Sequence, residues 1–353
     1  MTATMNDACT LLLPPSALLS SYCCGFNFYF KKIKTRTLFY SQSSQILFPL
    51  FQSFVLVMSS KIEVSDDAGA RARRVWRIDY AGSIGDLKLK TESISKPKSG
   101  EIQVQICYCG LNFADIAAVQ GLYSATPKGS FIPGLEYSGI VVDVGSDVSF
   151  FHIGDQVFGC TKFGGYAEYI NIDPCYVRHV PPGWSLKEAS AFCCQALTAW
   201  YGLVDLGRLK LKSNASDVVK PFAVLIHSGA GGVGLFAGEL VLAAGGSPIF
   251  TVGDSSKAEF LMSRFASQIK REQIIVRSNS KDFAFDLKTA MTSVGVDSLR
   301  IVFDSLLQRA SFEASMKVLD KGGYCVIYGA GSMMTGPRDS PNWITLAWRY
   351  RNI

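Results

Sequence analysis

The 353-residue chain has no internal repeat and no low-complexity tract, and it carries only three histidines: His152, His179 and His227. It also lacks an uninterrupted apolar run of the roughly 20 residues a membrane-crossing helix needs. The best candidate, Ile46 to Met58, is broken by Pro49, Gln52 and Ser53, which argues against a spanning helix there. Cysteine is plentiful at ten residues, yet no two stand in C-x-x-C spacing, so the ligand knuckle of a structural zinc site is missing. Acidic residues are nearly absent from the first sixty positions, where Lys31, Lys32, Lys34 and Arg36 face Asp7 alone. That segment holds half of the formal net charge of +6. The remainder is too dilute to suggest a nucleic-acid partner.

What is present is a globular composition: 48% hydrophobic and 18% charged residues. The length suits two domains rather than one core. Residues 1–60, rich in Ser, Thr, Leu and Phe, resemble an organelle transit peptide or a disordered extension. That leader predicts a chloroplast or mitochondrial location. Without it the expectation is cytoplasmic, and Met58 offers a later start. The segment is left outside the predicted fold. The cysteines read as reduced, buried small hydrophobes: Cys107 and Cys109 share a strand, and the adjacent Cys193 and Cys194 lie in a helical stretch. Such usage suits a reducing compartment.

From Val75 to about Val180 the pattern is short, β-rich and punctuated by glycine and proline, with one helical insert, "NFADIAAVQG". This predicts a small barrel-like or sandwich domain. The pattern changes at Ser185, three residues before Glu188, a capping-box spacing that opens a helix through "SLKEASAFCCQALTAWYGLVDLG". After Pro221 five apolar runs alternate with helical segments: "FAVLIH", "SPIFTVG", "QIIV", "SLRIVFD" and "GGYCVIYGA". That alternation is the pattern of a doubly wound parallel sheet, and the fold class is α/β.

Between the first run and its helix stands "GAGGVG": Gly229, Ala230, Gly231, Gly232, Val233 and Gly234. A lone G-x-G-x-x-G is weak, but strand, loop, helix and second strand in succession make a dinucleotide cradle the better reading than a bare turn. Gly229 is expected to allow the tight turn, Gly231 the approach of backbone to a pyrophosphate, and Gly234 close packing of helix on strand. The helix N-terminus would hold the anion. Asp254, twenty residues after Gly234, is open to three readings. It can accept from a ribose 2′-hydroxyl. Its neighbours Ser255 and Lys257 suit a 2′-phosphate instead. Asp254 or Ser255 can also simply cap the following helix.

Several further segments occur in one order: "CGLNFADIAAVQGLY", "PGLEYSGIVVDVG", "GDQVFG", "GGYAEY" and "LTAWYGL", then the glycine loop. Through them, residues 73–335 resemble the medium-chain dehydrogenase/reductase superfamily, and within it the zinc-free quinone oxidoreductase branch. "HSGAGGVG" and "GAGSMMTGP" look nearest to its vesicle amine transport protein-like group. The resemblance implies a GroES-like catalytic domain over 73–195 and a Rossmann domain over 196–335, with 336–353 as a tail. It implies hydride transfer from NADPH, with NADH as the alternative, to quinones or α,β-unsaturated carbonyls. By position, Asn112, Asp115 and Tyr123 would lie near nicotinamide and substrate, Thr198 would approach the nicotinamide, and Gly329 would pass under the cofactor. Tyr123 or Asn112 would hydrogen-bond the developing oxyanion. Tyr123 packed at a domain edge is the competing reading, and His227 reads as structural.

Zinc members carry a Cys ligand in the segment matching "GLNFAD" and a His in that matching "GLEYSG". Here the second offers Leu135 before Glu136, so no zinc is expected. Where the family continues into a sixth Rossmann strand, this chain ends with "PNWITLAWRYRNI" and reads as C-terminally truncated. Two function classes follow. One is an NADPH-dependent quinone or enone reductase, expected as a homodimer. The other is a catalytically weak Rossmann-type protein with an interaction or membrane-surface role.

Overall fold

The structure is a computed structural model that describes residues 55–57, 70–212, 220–329 and 331. The leader apart from 55–57, and the tail 336–353, lie outside those residues. The chain divides into two compact units, one closing at Cys194 and the other opening at Gln195.

The first unit is β-rich. It contains β1 (Val55–Val57), β2 (Ala70–Arg77), β3 (Lys88–Ser95), β4 (Ile102–Gly110), β5 (Glu136–Val144), β6 (Gln156–Cys160), β7 (Tyr169–Ile172) and β8 (Val177–His179). Six of these form one sheet in the order β1-β4-β5-β6-β8, with β7 also on β4; β2 and β3 pair with each other. Every pairing in the unit is antiparallel. The residues of β1 fall in the segment the sequence reading set aside, yet they pair with Tyr108, Cys109 and Gly110. The core is the inward face of these strands, including Val75, Ile102, Val104, Ile106, Tyr137, Val141, Val157 and Ile170. The helical insert is α1 (Phe113–Val119). The helix opened by Ser185 is α2 (Leu186–Ala189), and its capping box with Glu188 forms as the spacing predicts.

The continuous helix expected from Ser185 onward is three pieces instead. After α2 comes α3 (Cys193–Trp200), followed directly by a π-helical stretch, Tyr201–Leu206. Its Gly202 packs so closely that a Cβ there would strike the Phe303 ring. The wider π turn is an insertion that helical periodicity does not reveal.

The second unit holds β9 (Ala223–Ile226), β10 (Ser247–Val252), β11 (Ile274–Val276), β12 (Leu299–Asp304) and β13 (Leu319–Ile327). They form a parallel five-stranded sheet in the order β11-β10-β9-β12-β13. Its helices are α4 (Gly232–Ala243), α5 (Ser255–Phe265), α6 (Phe283–Ser293) and α7 (Arg309–Lys317). All four residues of β9 are buried, as a central parallel strand covered on both faces must be. One core joins β9 and β10 to α4 and α5 through Val224, Ile226, Phe250, Val241, Leu261 and Phe265. The opposite core joins Ala223, Leu225, Ile249 and Val302 to Leu287 and Met291 of α6. The α/β class and the doubly wound parallel sheet are as the sequence implies. Among the described residues no helix is long and apolar enough to cross a membrane.

Candidate functional site

The glycine loop leaves β9 and enters α4 at the carboxyl end of the sheet, beside the point where strand order reverses between β9 and β12. Open α/β sheets bind ligands at such a switch point. The turn is tighter than expected, and its left-handed residue is Ser228 (φ 57°), not Gly229. Gly229 is required for space: a Cβ there would lie 2.5 Å from Cδ1 of Phe250. Gly234 is likewise pressed against the loop rather than the strand, because a Cβ would sit 2.5 Å from the Ser228 carbonyl oxygen. Gly231 is the helix N-cap, with no side chain to satisfy the first N–H groups of α4. A Cβ at Gly231 would meet only the Ser228 carbonyl, at 3.3 Å. These first-turn N–H groups and the positive end of the helix fit an anion the size of a pyrophosphate. Ala230 and Val233 are half-buried beside the loop core.

Two polar residues of α3 lie near this loop, Thr198 within a motif and Gln195 outside every motif. Gln195 at the start of the second unit is buried, its Oε1 has no partner, and it touches Gly232, where a Cβ would strike its amide. Thr198, on the same helix α3, is half-buried. At the ends of β9, β10, β11 and β12 lies a buried relay. Arg277 donates to the Thr251 hydroxyl oxygen at 2.9 Å, and that hydroxyl lies 3.1 Å from His227 Nδ1. His227 Nε2 and Asp304 Oδ2 are both buried without partners. Burial holds the His227 imidazole below its ordinary pKa, so it is neutral. The other oxygen of Asp304 accepts from the N–H groups of Leu306 and Leu307. Gly329, after β13, packs on the same segment: a Cβ would lie 2.9 Å from the Ser305 carbonyl oxygen.

At the end of β10, Asp254 is the N-cap of α5. It accepts from Ser256 Oγ at 2.6 Å and from the Lys257 N–H at 3.1 Å, and it pairs with Lys257 Nζ at 3.0 Å. These bonds hold its pKa down to about 2. Of the three readings of this residue, the cap is the one formed. Arg277, which lies in no sequence motif, completes the cluster. A Cβ on Gly253 would be 3.7 Å from both the Arg277 guanidinium and Lys257 Nζ. Ser255 is exposed and accepts from Asn279 at 3.3 Å. Two cations, a hydroxyl and an amide therefore meet beside a single carboxylate.

The β-rich unit carries the second group of candidates. Asp115 reaches back to the N–H of Asn112 at 2.8 Å, closing the N-terminus of α1, and accepts from the Tyr166 hydroxyl at 2.9 Å. Asn112 donates its amide to Glu136 at 2.8 Å, and the other Glu136 oxygen accepts the Cys194 N–H at 2.9 Å. Burial dominates here: Glu136 is fully enclosed and its pKa rises to about 7, while that of Asp115 rises to about 6. Burial, with these two carboxyls, pushes the Cys109 thiol up to about 12. Asn112 and Asp115 thus belong to one network, while Tyr123 packs apart from it against Ile78, Ala118, Val119 and Phe131. Glu136 and Tyr166 are the network members sequence reasoning missed. An acid inside the apolar strand "EYSGIVVDV" was the available signal. Among the described residues no group of three His, Cys, Asp or Glu side chains could hold a metal ion.

Residues 98–182 match the alcohol dehydrogenase GroES-like domain. The synaptic vesicle membrane protein VAT-1 homolog of Danio rerio is 28% identical over 269 residues, covering 76% of this chain and 51% of that protein. The VAT-1 homolog-like protein of Mus musculus is 28% identical over 73% of this chain and 57% of its own length. The chain thus spans about half the length of the curated relatives it matches. Among solved structures, the Escherichia coli quinone oxidoreductase complexed with NADPH superposes with a TM-score of 0.60 at 28% identity, over 79% of this chain and 78% of that one. The CurK enoyl reductase gives a TM-score of 0.60 at 25% identity, over 80% and 89%. The GroES-like match, the VAT-1 homologues and the quinone oxidoreductase structure together support the medium-chain dehydrogenase/reductase superfamily, on its quinone oxidoreductase-like branch.

Proposed function

We propose that the protein is an NADPH-dependent, zinc-independent oxidoreductase that reduces a quinone or an α,β-unsaturated carbonyl compound. The observation that carries the reading is the glycine loop with its uncapped helix and the Lys257–Arg277 pair one strand away. In this reading the first-turn N–H groups of Gly232, Val233 and Gly234 hold the pyrophosphate, and Gln195 flanks it. Ser255, Lys257 and Arg277 receive a 2′-phosphate, a dianion that two fixed cations favour over a neutral ribose hydroxyl. Asp254, committed to its cap and to Lys257, does not compete for a ribose hydroxyl. NADPH, when bound, supplies the hydride.

The remaining work falls to side chains. Asn112 has one amide N–H committed to Glu136, which orients the group and leaves the second N–H for a developing oxyanion. Zinc independence is supported by the donor set, since Leu135 stands where zinc members carry histidine and leucine cannot ligate. The choice of quinone or enone is supported by the quinone oxidoreductase and enoyl reductase structures the chain resembles.

Titration of the purified full chain with NADPH and NADH, followed by tryptophan fluorescence, tests the reading. Saturable binding that prefers NADPH, weakened about tenfold or more for NADPH alone by Lys257→Ala, is the expected result. Saturable binding with no preference between the two nucleotides sinks the 2′-phosphate assignment. Absence of binding to either sinks the oxidoreductase reading and leaves an interaction role for the Rossmann unit.

A further inference from the structure

Three of the four glycines in the loop answer to the G-x-G-x-x-G pattern, and Gly232 is the one that does not. Its reason is a side chain from another helix. A Cβ on Gly232 would strike Oε1 and Cδ of Gln195 and would lie 2.8 Å from Nε2. The Gln195 amide therefore rests on the first residue of α4. Gln195 is 8% exposed, and its Oε1 has no hydrogen-bond partner. The first-turn N–H groups of Gly232, Val233 and Gly234 open at the same place.

A buried amide oxygen left without a donor is costly, and folded proteins retain few such groups without a use. The anion that suits this helix end cannot supply the donor, because ionised phosphate oxygens only accept. A ribose hydroxyl is the donor that a dinucleotide carries next to its phosphates. The other end of the amide, Nε2, donates and so suits a phosphate oxygen. One glutamine can meet both groups at once, which neither a carboxylate nor an apolar side chain can do.

The side of the loop on which Gln195 stands decides which ribose it meets. In the sheet, β10 lies on one side of β9 and β12 on the other. Lys257 and Arg277, the pair assigned to the 2′-phosphate of the adenosine ribose, converge on Gly253 at the end of β10. Gln195 arrives from the β12 side. The π-helical stretch that continues α3 packs on that strand: a Cβ on Gly202 would strike the Phe303 ring, and one on Gly207 would lie 3.1 Å from Cδ1 of Ile301. A dinucleotide laid across the switch point with its adenosine toward β10 turns its other half toward Gln195.

We infer that Gln195 binds the nicotinamide half of the cofactor, with Nε2 donating to the pyrophosphate and Oε1 accepting from a hydroxyl of the nicotinamide ribose. This role rests on the dinucleotide reading of the loop and gives the two halves of the ligand separate anchors. Lys257 and Arg277 respond to whether a 2′-phosphate is present. Gln195 meets groups that NADPH and NADH share, so it acts on both alike. Its side chain is already enclosed before any ligand arrives, and little ordering entropy is lost on binding.

The test is calorimetric titration of the full chain and its variants with NADPH, NADH and 2′,5′-ADP. The last carries the 2′-phosphate and a 5′-phosphate but no nicotinamide ribose. Gln195→Met, which keeps the site filled, is expected to weaken NADPH and NADH by about tenfold each and to leave 2′,5′-ADP within about twofold. Lys257→Ala should give the crossed pattern, weakening NADPH and 2′,5′-ADP while sparing NADH. Gln195→Glu keeps the shape of the side chain but puts a second acceptor beside the phosphates, and both dinucleotides should weaken further than in Gln195→Met. Wild-type affinity for NADPH in either Gln195 variant would overturn the inference. Equal loss of 2′,5′-ADP in Gln195→Met would also overturn it, by making the residue a support of the loop. A wild-type chain that binds none of the three ligands would sink the dinucleotide reading itself, an outcome distinct from failure of Gln195 alone.

Discussion

The two units carry their polar groups in opposite ways. Around the glycine loop the polar groups are backbone N–H groups and two basic side chains. Lys257 is exposed and Arg277 is held on a hydroxyl. In the β-rich unit the polar groups are enclosed carboxyls that already satisfy one another's neighbours. In the proposed reading, a site of the first kind is preformed for an anion by its backbone. A cluster of the second kind stores its consequences in protonation, so pH reads it and shape does not.

That contrast is broken most directly at the loop. Gly234→Val would force side-chain atoms into the Ser228 and Gly229 carbonyls, the nearer of which lies 2.5 Å from the first added carbon. We expect about 3 kcal/mol of destabilisation in urea unfolding, together with loss of nucleotide binding. Gly231→Ala separates the two effects. Its backbone (φ −79°, ψ 163°) suits alanine and its only close neighbour is 3.3 Å away. The fold should change by less than about 1 kcal/mol, while nucleotide affinity falls because the methyl occupies the approach to the helix N-terminus. If affinity survived Gly231→Ala, the loop would be a packing device and the two units would no longer differ in kind.

The carboxyl cluster predicts a stability that depends on pH in an unusual direction. Glu136 rises to about 7 and Asp115 to about 6 in the folded protein, above their values in the unfolded chain. The folded state therefore binds protons more tightly over this range. Stability is fully present below about pH 4, and it is lost as pH rises through the folded-state values toward 7. For Glu136 the swing is about 3 kcal/mol as an order of magnitude. Urea midpoints measured from pH 4.5 to 8 should fall with pH, and Glu136→Gln should flatten much of that slope while keeping an acceptor for the Cys194 N–H. A flat wild-type profile would mean the cluster is hydrated and not enclosed.

How far these features were legible in the sequence differs between the units for a physical reason. Parallel strands buried on both faces are continuous apolar runs, so β9 to β13 and the loop between β9 and α4 stand out from local pattern alone. The reasons for individual glycines were less visible. Gly229 and Gly234 answer to Phe250 and to the Ser228 carbonyl, contacts set by the loop's path and not by its composition. In the β-rich unit, Asn112 and Asp115 were within reach because a helix cap is local in sequence. Glu136 and Tyr166 were not, since the bonds that define them join residues 24 and 51 positions away. The π-helical stretch after Trp200 was hidden for the opposite reason, because a single wide turn leaves the apolar content of a helix unchanged.

The smallest expected effect is also the one that most sharpens the comparison. Arg277 lies outside every motif, yet its guanidinium and Lys257 Nζ converge on the backbone at Gly253. Burial disfavours its charge, with Asp304 and Asp254 acting in the other direction. A half-buried cation that donates to Thr251 and still faces the end of β10 is held in place before any ligand arrives, so little ordering entropy is lost when an anion binds. Arg277→Ala should therefore weaken NADPH by about tenfold, roughly one charge-assisted hydrogen bond, while changing NADH affinity little. Arg277→Lys would keep the charge but lose the fixed fork, and an intermediate loss is expected. Equal weakening of both nucleotides by Arg277→Ala would assign the residue to the Thr251–His227 relay beneath the loop, making it part of the scaffold and leaving Lys257 as the discriminating cation.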